Sequence, residues 1–366
     1  MKFVTLIIFL NFLMFSVGCN HRQPSASIAS AQETETPVHL FRILKGGKFG
    51  FIDKKGSVVI EPRFVDAQDF SEGLALVSLN GKKVFIDKTG KVVIEPKDFE
   101  PINGFTDGLA RGNVTTRSPY TKGYIDKTGK LVIDYPEMWG ACMFSEGLAC
   151  VVADKWGFID TSGKFVINKH FAEASPFSEG LASVTFSDNS KASRHKKGYI
   201  DKTGKIVIKP QYDAAQPFSE GLAAVGIKKG ENYQFGFVDK TGIMVIEPRF
   251  DWTYYFKEEL AAVKISEKWG FIDKKGNFII KPQFDEAESF SESLAAVAVN
   301  GKWGFIDKTG KFVVEPKFSK VYDFLDGLAL VSSDAESFDD LIGHFDAEGK
   351  WGYIDKTGEF IWQPVN

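Results

Sequence analysis

Three cysteines, Cys19, Cys142 and Cys150, are all that this chain of 366 residues contains. They are too few for a disulfide framework and lack the paired spacing of a zinc site. Histidine is nearly as scarce, and His21, His39, His170, His195 and His344 stand apart from one another with no G-x-S-x-G anywhere; nucleophilic catalysis finds no motif to rest on. No block of one charge sign exists: the formal net charge is -3, with Lys and Asp or Glu interleaved, so the footprint of a nucleic-acid binder is missing. The longest apolar run, Phe3 to Phe15 with Thr5 and Asn11 inside it, is shorter than the roughly 20 residues that cross a bilayer as a helix.

What is present points to strands. Phe occurs 34 times and Gly 35 times, an abundance of strand-forming rings and turn residues that favours an all-β class. One phrase recurs: "WGFIDTSGKFVINKHF" from 156, "WGFIDKKGNFIIKPQF" from 269 and "WGFIDKTGKFVVEPKF" from 303, with relatives from 49 and 235. Its aspartate returns at Asp53, Asp87, Asp126, Asp160, Asp201, Asp239, Asp273, Asp307 and Asp355, which makes nine units with a base step of 34 residues. A second phrase, "FSEGLA", falls between them, whole at 70, 144, 177 and 218 and looser at 105, 256, 290 and 324.

Each unit reads as a three-stranded antiparallel meander: "LAAVAV", an Asn300-Gly301 hairpin, "KWGFID", a "KTG" turn, and "KFVVEP". Asp307 should head its turn by accepting backbone amides two residues on, and Pro316, with no amide hydrogen, should end the third strand. Glu259 and Ser293 replace the glycine of "FSEG", so a positive φ is not expected there. A lone unit cannot bury both faces, whereas stacked units share a core.

From each anchoring Asp to the next "LA" alanine the spacing is 22 or 23 residues, but from that alanine to the following Asp it runs from 11 to 26. Length therefore varies in one hairpin, and its long versions should project from one edge or face of the array. They carry the candidate partner-binding residues: Arg117 and Tyr120; Arg194, His195, Lys196 and Lys197; Tyr233; and Asp339, Asp340 and His344.

The first 19 residues read as a signal peptide. Their ending "SVGC" resembles a lipobox, which makes Cys19 the expected lipidation site, although Ser16 stands where that motif usually has Leu. Residues 20–37, rich in Ser, Ala, Gln, Glu, Thr and Pro, read as a flexible linker. Residues 38–366 hold the array.

The combined phrases resemble the bacterial WG, or KWG, repeat. Trp156-Gly157, Trp269-Gly270, Trp303-Gly304 and Trp351-Gly352 carry the signature; Phe49 and Phe235 replace the Trp, Lys122 and Lys197 stand in two further units, and Lys83-Val84 loses both residues. The resemblance implies a repeat protein of the cell envelope or exterior, with no agreed activity.

"DKTG" offers one carboxylate where calcium loops need several, and no pair of carboxylates is singled out as a glycosidase would need. The Trp of each unit is expected to pack one unit on the next, with its glycine leaving room for the ring. Cys150 occupies the place of Ala224, Ala262 and Ala296 and reads as a small buried residue, with Cys142 nearby as an alternative partner. The expected architecture is an open, solenoid-like array, a closed propeller-like ring being the alternative. The expected function is non-enzymatic: binding of a protein or glycan through the long loops, with no cofactor, no metal, no nucleic acid and contact with a membrane only through a lipid at Cys19. A purely structural envelope spacer is the alternative, and a carbohydrate-active enzyme ranks last.

Overall fold

The computed structural model describes residues 39–117, 121–186, 196–333 and 350–363, and all regular structure in them is β. The eighth unit shows the plan. Glu286–Ala287, Ala295–Val299, Lys302–Ile306 and Phe312–Phe318 lie side by side in that order, each antiparallel to the last. Asn300 and Gly301 take φ of 52° and 73° and turn the chain between the middle strands, as a two-residue hairpin of matching twist requires. The Asp285 carboxylate holds that hairpin by accepting the Asn300 amide at 2.6 Å.

Two expectations need correction here. A unit has four strands, not three; the extra one is only two residues long in most units, too short to leave an alternating pattern, and the first unit alone lacks it among the described residues. Nor does proline end the last strand: Phe312–Phe318 runs through Pro316, as Val58–Phe64 runs through Pro62. The pairing skips from Phe305↔Val314 to Trp303↔Phe318, so the proline sits in a bulge where no ladder amide is called for. Lys169 takes the proline's place in the fourth unit, where Phe165–Ala174 runs unbroken into the next unit and fuses the two into a seven-stranded sheet.

Both faces of each sheet are covered by neighbouring units, and the repeated phrases supply the cover. The ring of "[FY]ID" in one unit packs against the Phe of "FSEG" in the next: Phe51 on Phe70, Phe85 on Phe105, Tyr124 on Phe144, Phe158 on Phe177, Tyr199 on Phe218, Phe237 on Phe256, Phe271 on Phe290 and Phe305 on Phe324, with centroids 4.7–5.0 Å apart. Such tilted pairs add about 0.5–1.5 kcal/mol each to the burial of the rings. This is why the chain writes the same words again: each copy holds the residues its neighbour needs.

The first and ninth units touch as well. Phe41, Ile43 and Ile52 form one apolar cluster with Leu328 and Tyr353, and Trp351 joins the cluster of Phe49, Phe51 and Phe64. Tyr353 packs its ring on Phe41 at 5.3 Å and donates its hydroxyl to the Arg42 carbonyl at 2.9 Å. A Cβ added to Gly310 would stand 3.2 Å from Ile280 of the preceding unit; one added to Gly56 would stand 2.5 Å from the Ile361 carbonyl oxygen of the last.

Candidate functional site

The two phrases make one edge of the array into a seam. Glu72, Glu146, Glu179, Glu220, Glu258 and Glu292 each accept the amide of the following unit's turn, from Gly108, Gly180, Gly221, Glu259, Ser293 and Gly327 respectively. Each also meets the Lys of that unit's "DK[TK]G" turn, at 3.0–3.2 Å. Serine joins in: Ser291 Oγ donates to the Phe324 carbonyl at 2.9 Å, and Ser71, Ser145, Ser178 and Ser219 do the same. These carboxylates are lateral clamps, and the turn demands what the sequence reading denied: φ is 54° and 72° at Glu258 and Glu259, and 53° and 73° at Glu292 and Ser293. A two-residue hairpin of this type needs both residues left-handed whatever their side chains.

The anchoring aspartates are turn-holders. Asp307 Oδ1 accepts the amides of Thr309 and Lys311 and the Thr309 hydroxyl. That hydroxyl, with the amides, holds the carboxyl below its usual range.

The other edge carries the variable hairpins, and here the structure brings part of the candidate set together. Asp213 gathers the end of the fifth-unit loop and the sixth-unit hairpin, accepting Lys196 Nζ at 2.5 Å and the Lys228 amide at 2.8 Å. Burial alone would raise its pKa, but these donors and the two lysine charges hold it low. Tyr233, on that hairpin, is 38% exposed and rests on Phe235 at 6.1 Å, near parallel. Trp252, 45% exposed, leans edge-on against the same Phe235 at 5.2 Å. Lys264 lies opposite Trp252 in the ladder. The result is an aromatic shelf with cations and a carboxylate beside it, able to stack on an apolar ring face and to hydrogen-bond its rim.

Other candidates lie elsewhere. Arg117 is tied to Asp134 and to Thr121 Oγ1 in the third unit, and Lys197 is paired with Glu173. Tyr120, Arg194, His195, Asp339, Asp340, His344 and Cys19 lie outside the described residues. Trp252 was missed: its signal is a lone Trp at the place where other units have Ala214, Glu286 or Lys320.

Cys142 and Cys150 form a disulfide. They sit on paired chain segments, the Cys142 amide donating to the Cys150 carbonyl at 2.8 Å, with Cα atoms 5.2 Å apart. The "SEGL" hairpin between them folds the intervening residues back and brings the ends within bonding reach.

The WG containing repeat pattern matches residues 49–82, 85–111, 123–155, 156–189, 198–230, 235–269, 269–303 and 303–335. The chain belongs to the WG containing repeat family. No curated protein matches it in sequence. Solved structures that resemble it include Hsv2 of Kluyveromyces lactis, 10% identical over 80% of this chain and 97% of that one, with a TM-score of 0.39. A quinonprotein alcohol dehydrogenase-like protein of Bacteroides thetaiotaomicron is 12% identical over 75% and 74%, with a TM-score of 0.36. An uncharacterized protein of Listeria monocytogenes is 12% identical over 75% and 94%, also with a TM-score of 0.36. Likenesses this loose do not decide how the units are arranged.

Within the WG units the tryptophans are packing residues. Trp269 and Trp351 are buried, Trp156 and Trp303 half-buried, and Trp269 stacks on Tyr254 at 5.3 Å and 13°. The glycines leave room for backbone, not for the ring. A Cβ on Gly270 would stand 2.6 Å from the Ile280 oxygen and 2.7 Å from Pro282 N; on Gly304 it would stand 2.4 Å from the Val314 oxygen. Where Val84 replaces the glycine, the last strand stops at Val92–Ile94 and the wide skip seen between Phe305 and Trp303 is absent, though a register shift remains between Phe85 and Ile86.

Proposed function

We propose that this WG repeat protein is a non-enzymatic binding module whose units close into a ring, and that the hairpin edge of the sixth and seventh units recognises a glycan or a protein. Closure is supported by the contacts of Phe41, Arg42 and Gly56 with Tyr353 and Ile361, although they use other positions of the repeat than the internal junctions, where the tyrosine ring packs on the Phe of "FSEG". Nine units exceed the four to eight usual in propellers, while four strands per unit match them. The observation that carries the binding reading is the shelf of Tyr233 and Trp252, two large rings held in solvent on a buried third. Exposed aromatics beside charged groups are the usual anchors of sugar and peptide recognition. The apolar run ending at Cys19 supports export and a lipid anchor in the bacterial envelope, with residues 20–37 as tether.

The regular seam of Glu, Lys and Ser favours the second reading, a spacer with no ligand. Tryptophan fluorescence titrations against a glycan panel and a peptide library separate the two. A saturable change that the Y233A/W252A double variant loses, while keeping its melting temperature, supports recognition. No saturable change with any member of either panel supports the spacer.

A further inference from the structure

Arg42 and Arg111 occupy the same place in their units, two residues after Leu40 and Leu109 respectively, and they dock alike. Arg42 donates Nη1 to the Ala67 carbonyl of the next unit; Arg111 donates Nη1 to the corresponding Ala141 carbonyl. Beyond that point they differ. Arg42 turns its Nε and Nη2 edge onto the Asp69 carboxylate, at 2.6 and 3.2 Å. The residue that corresponds to Asp69, immediately before the Phe of "FSEG", is Met143. Arg111 is left with the neutral Asn103 Oδ1 on Nη2, at 2.6 Å, and nothing on Nε.

Arg111 is only 9% exposed, and no described carboxylate meets its guanidinium. The nearby Glu100 is engaged by Lys83 at 3.2 Å. A second cation adds to the imbalance: Lys122, bonded to Asn113 Oδ1 at 2.6 Å, is pushed to a lower pKa by burial and by the Arg111 charge. A buried guanidinium without a counter-ion and with an orphaned N–H is costly, and an orphaned buried donor in a native fold asks for a partner. Opposite Arg42 the Asp69 side chain that fills this place is 54% exposed, and Met143, which stands there opposite Arg111, is half-buried.

We infer that Arg111 is a binding site for a carboxylate ligand, which seats side-on against Nε and Nη2 where Asp69 sits against Arg42. Asn103 is the neutral acceptor that yields Nη2 when the ligand arrives, and Met143 is the residue whose lack of charge keeps the place open. Bidentate pairing of this kind is the strong, geometrically selective form of carboxylate recognition.

The test follows the Arg Nε–H resonances of the whole chain by NMR during titration with sodium acetate, with sodium phosphate and sodium chloride as separate arms at matched ionic strength. R111M identifies the Arg111 signal. The expected result is a saturable shift of that signal with acetate, absent with chloride and abolished in Met143→Asp, which supplies an internal carboxylate. Met143→Asp should also melt higher than the parent protein. Saturation by phosphate and not acetate would overturn the carboxylate assignment. An Arg111 signal indifferent to all three salts, or a Met143→Asp protein that still responds to acetate, would overturn the site. If R111M does not fold, Met143→Asp alone decides.

Discussion

Replacing Gly304 by alanine tests the reason for the family's signature dipeptide. The added Cβ would stand 2.4 Å from the Val314 oxygen, 2.7 Å from Pro316 N and 2.9 Å from the Glu315 carbonyl carbon, all backbone atoms of the last strand. Real Cβ atoms keep at least 3.0 Å, so Phe312–Phe318 must move away from Lys302–Ile306 and the pairing of Trp303 with Phe318 is broken. Overpacking of this kind costs about 1–3 kcal/mol, and a lost ladder bond or two adds about 1 kcal/mol each, for a total of roughly 3 kcal/mol. Gly301 is the control. Its Cβ would meet nothing within 4 Å and its φ is 73°, so Gly301→Ala costs only the left-handed conformation, about 1 kcal/mol. Urea unfolding followed by circular dichroism should place Gly304→Ala well below Gly301→Ala. Equal midpoints, or a Gly304→Ala protein as stable as the parent, would refute the close-approach argument.

Three further outcomes follow from the same contacts. Phe290, fully buried against Phe271, should cost about 3–5 kcal/mol when cut to alanine, and a melt within a few degrees of the parent would contradict its place at the junction. Hydroxyl and amide donors hold Asp87, Asp126, Asp160, Asp201, Asp239, Asp307 and Asp355 below their usual range. A folded pKa below the unfolded one makes their contribution complete above about pH 4 and lost as the pH falls through the folded value. The melting temperature should therefore hold from about pH 7 to pH 5 and drop steeply below pH 4, and a steep drop above pH 5 would contradict the turn assignment. Reducing the Cys142–Cys150 bond, which closes a short loop of 8 residues' separation, should cost about 2.5 kcal/mol, readable as a lower urea midpoint after reduction and alkylation.

Much of the fold was legible because repetition averages out local ambiguity. Asp307 with Gly310, and Asn300 with Gly301, mark turns by chemistry that acts within a few residues, and nine aspartates at a base step of 34 count the units directly. What was not legible depends on partners distant in the chain. Pro316 reads as a strand end until Gly304 shows that a bulge absorbs it. Glu259 and Ser293 read as evidence against a left-handed turn until the geometry of the hairpin overrides them. The strand Glu286–Ala287 is too short to show a period.

The site was legible in its region and not in its residues. Uneven spacing between the "LA" alanines and the aspartates pointed to the hairpins that carry Tyr233 and Lys196, but Trp252 lies outside them and reaches Tyr233 only through Phe235. Arg111 looks like any charged residue in a strand; only Arg42, in the same place with its carboxylate, shows what Arg111 lacks.

We propose that the ninth unit returns to the first. Ser57 and Glu359 occupy the same place in their turns, as do Lys311 and Glu359 in neighbouring units. Spin labels on Ser57 and Glu359, measured by pulsed dipolar spectroscopy beside the Lys311 and Glu359 pair, compare the closing junction with an ordinary one. A closed ring predicts matching distance distributions for the two pairs. A Ser57 to Glu359 distance several times longer, with the Lys311 pair short, would mean an open array and would contradict the account.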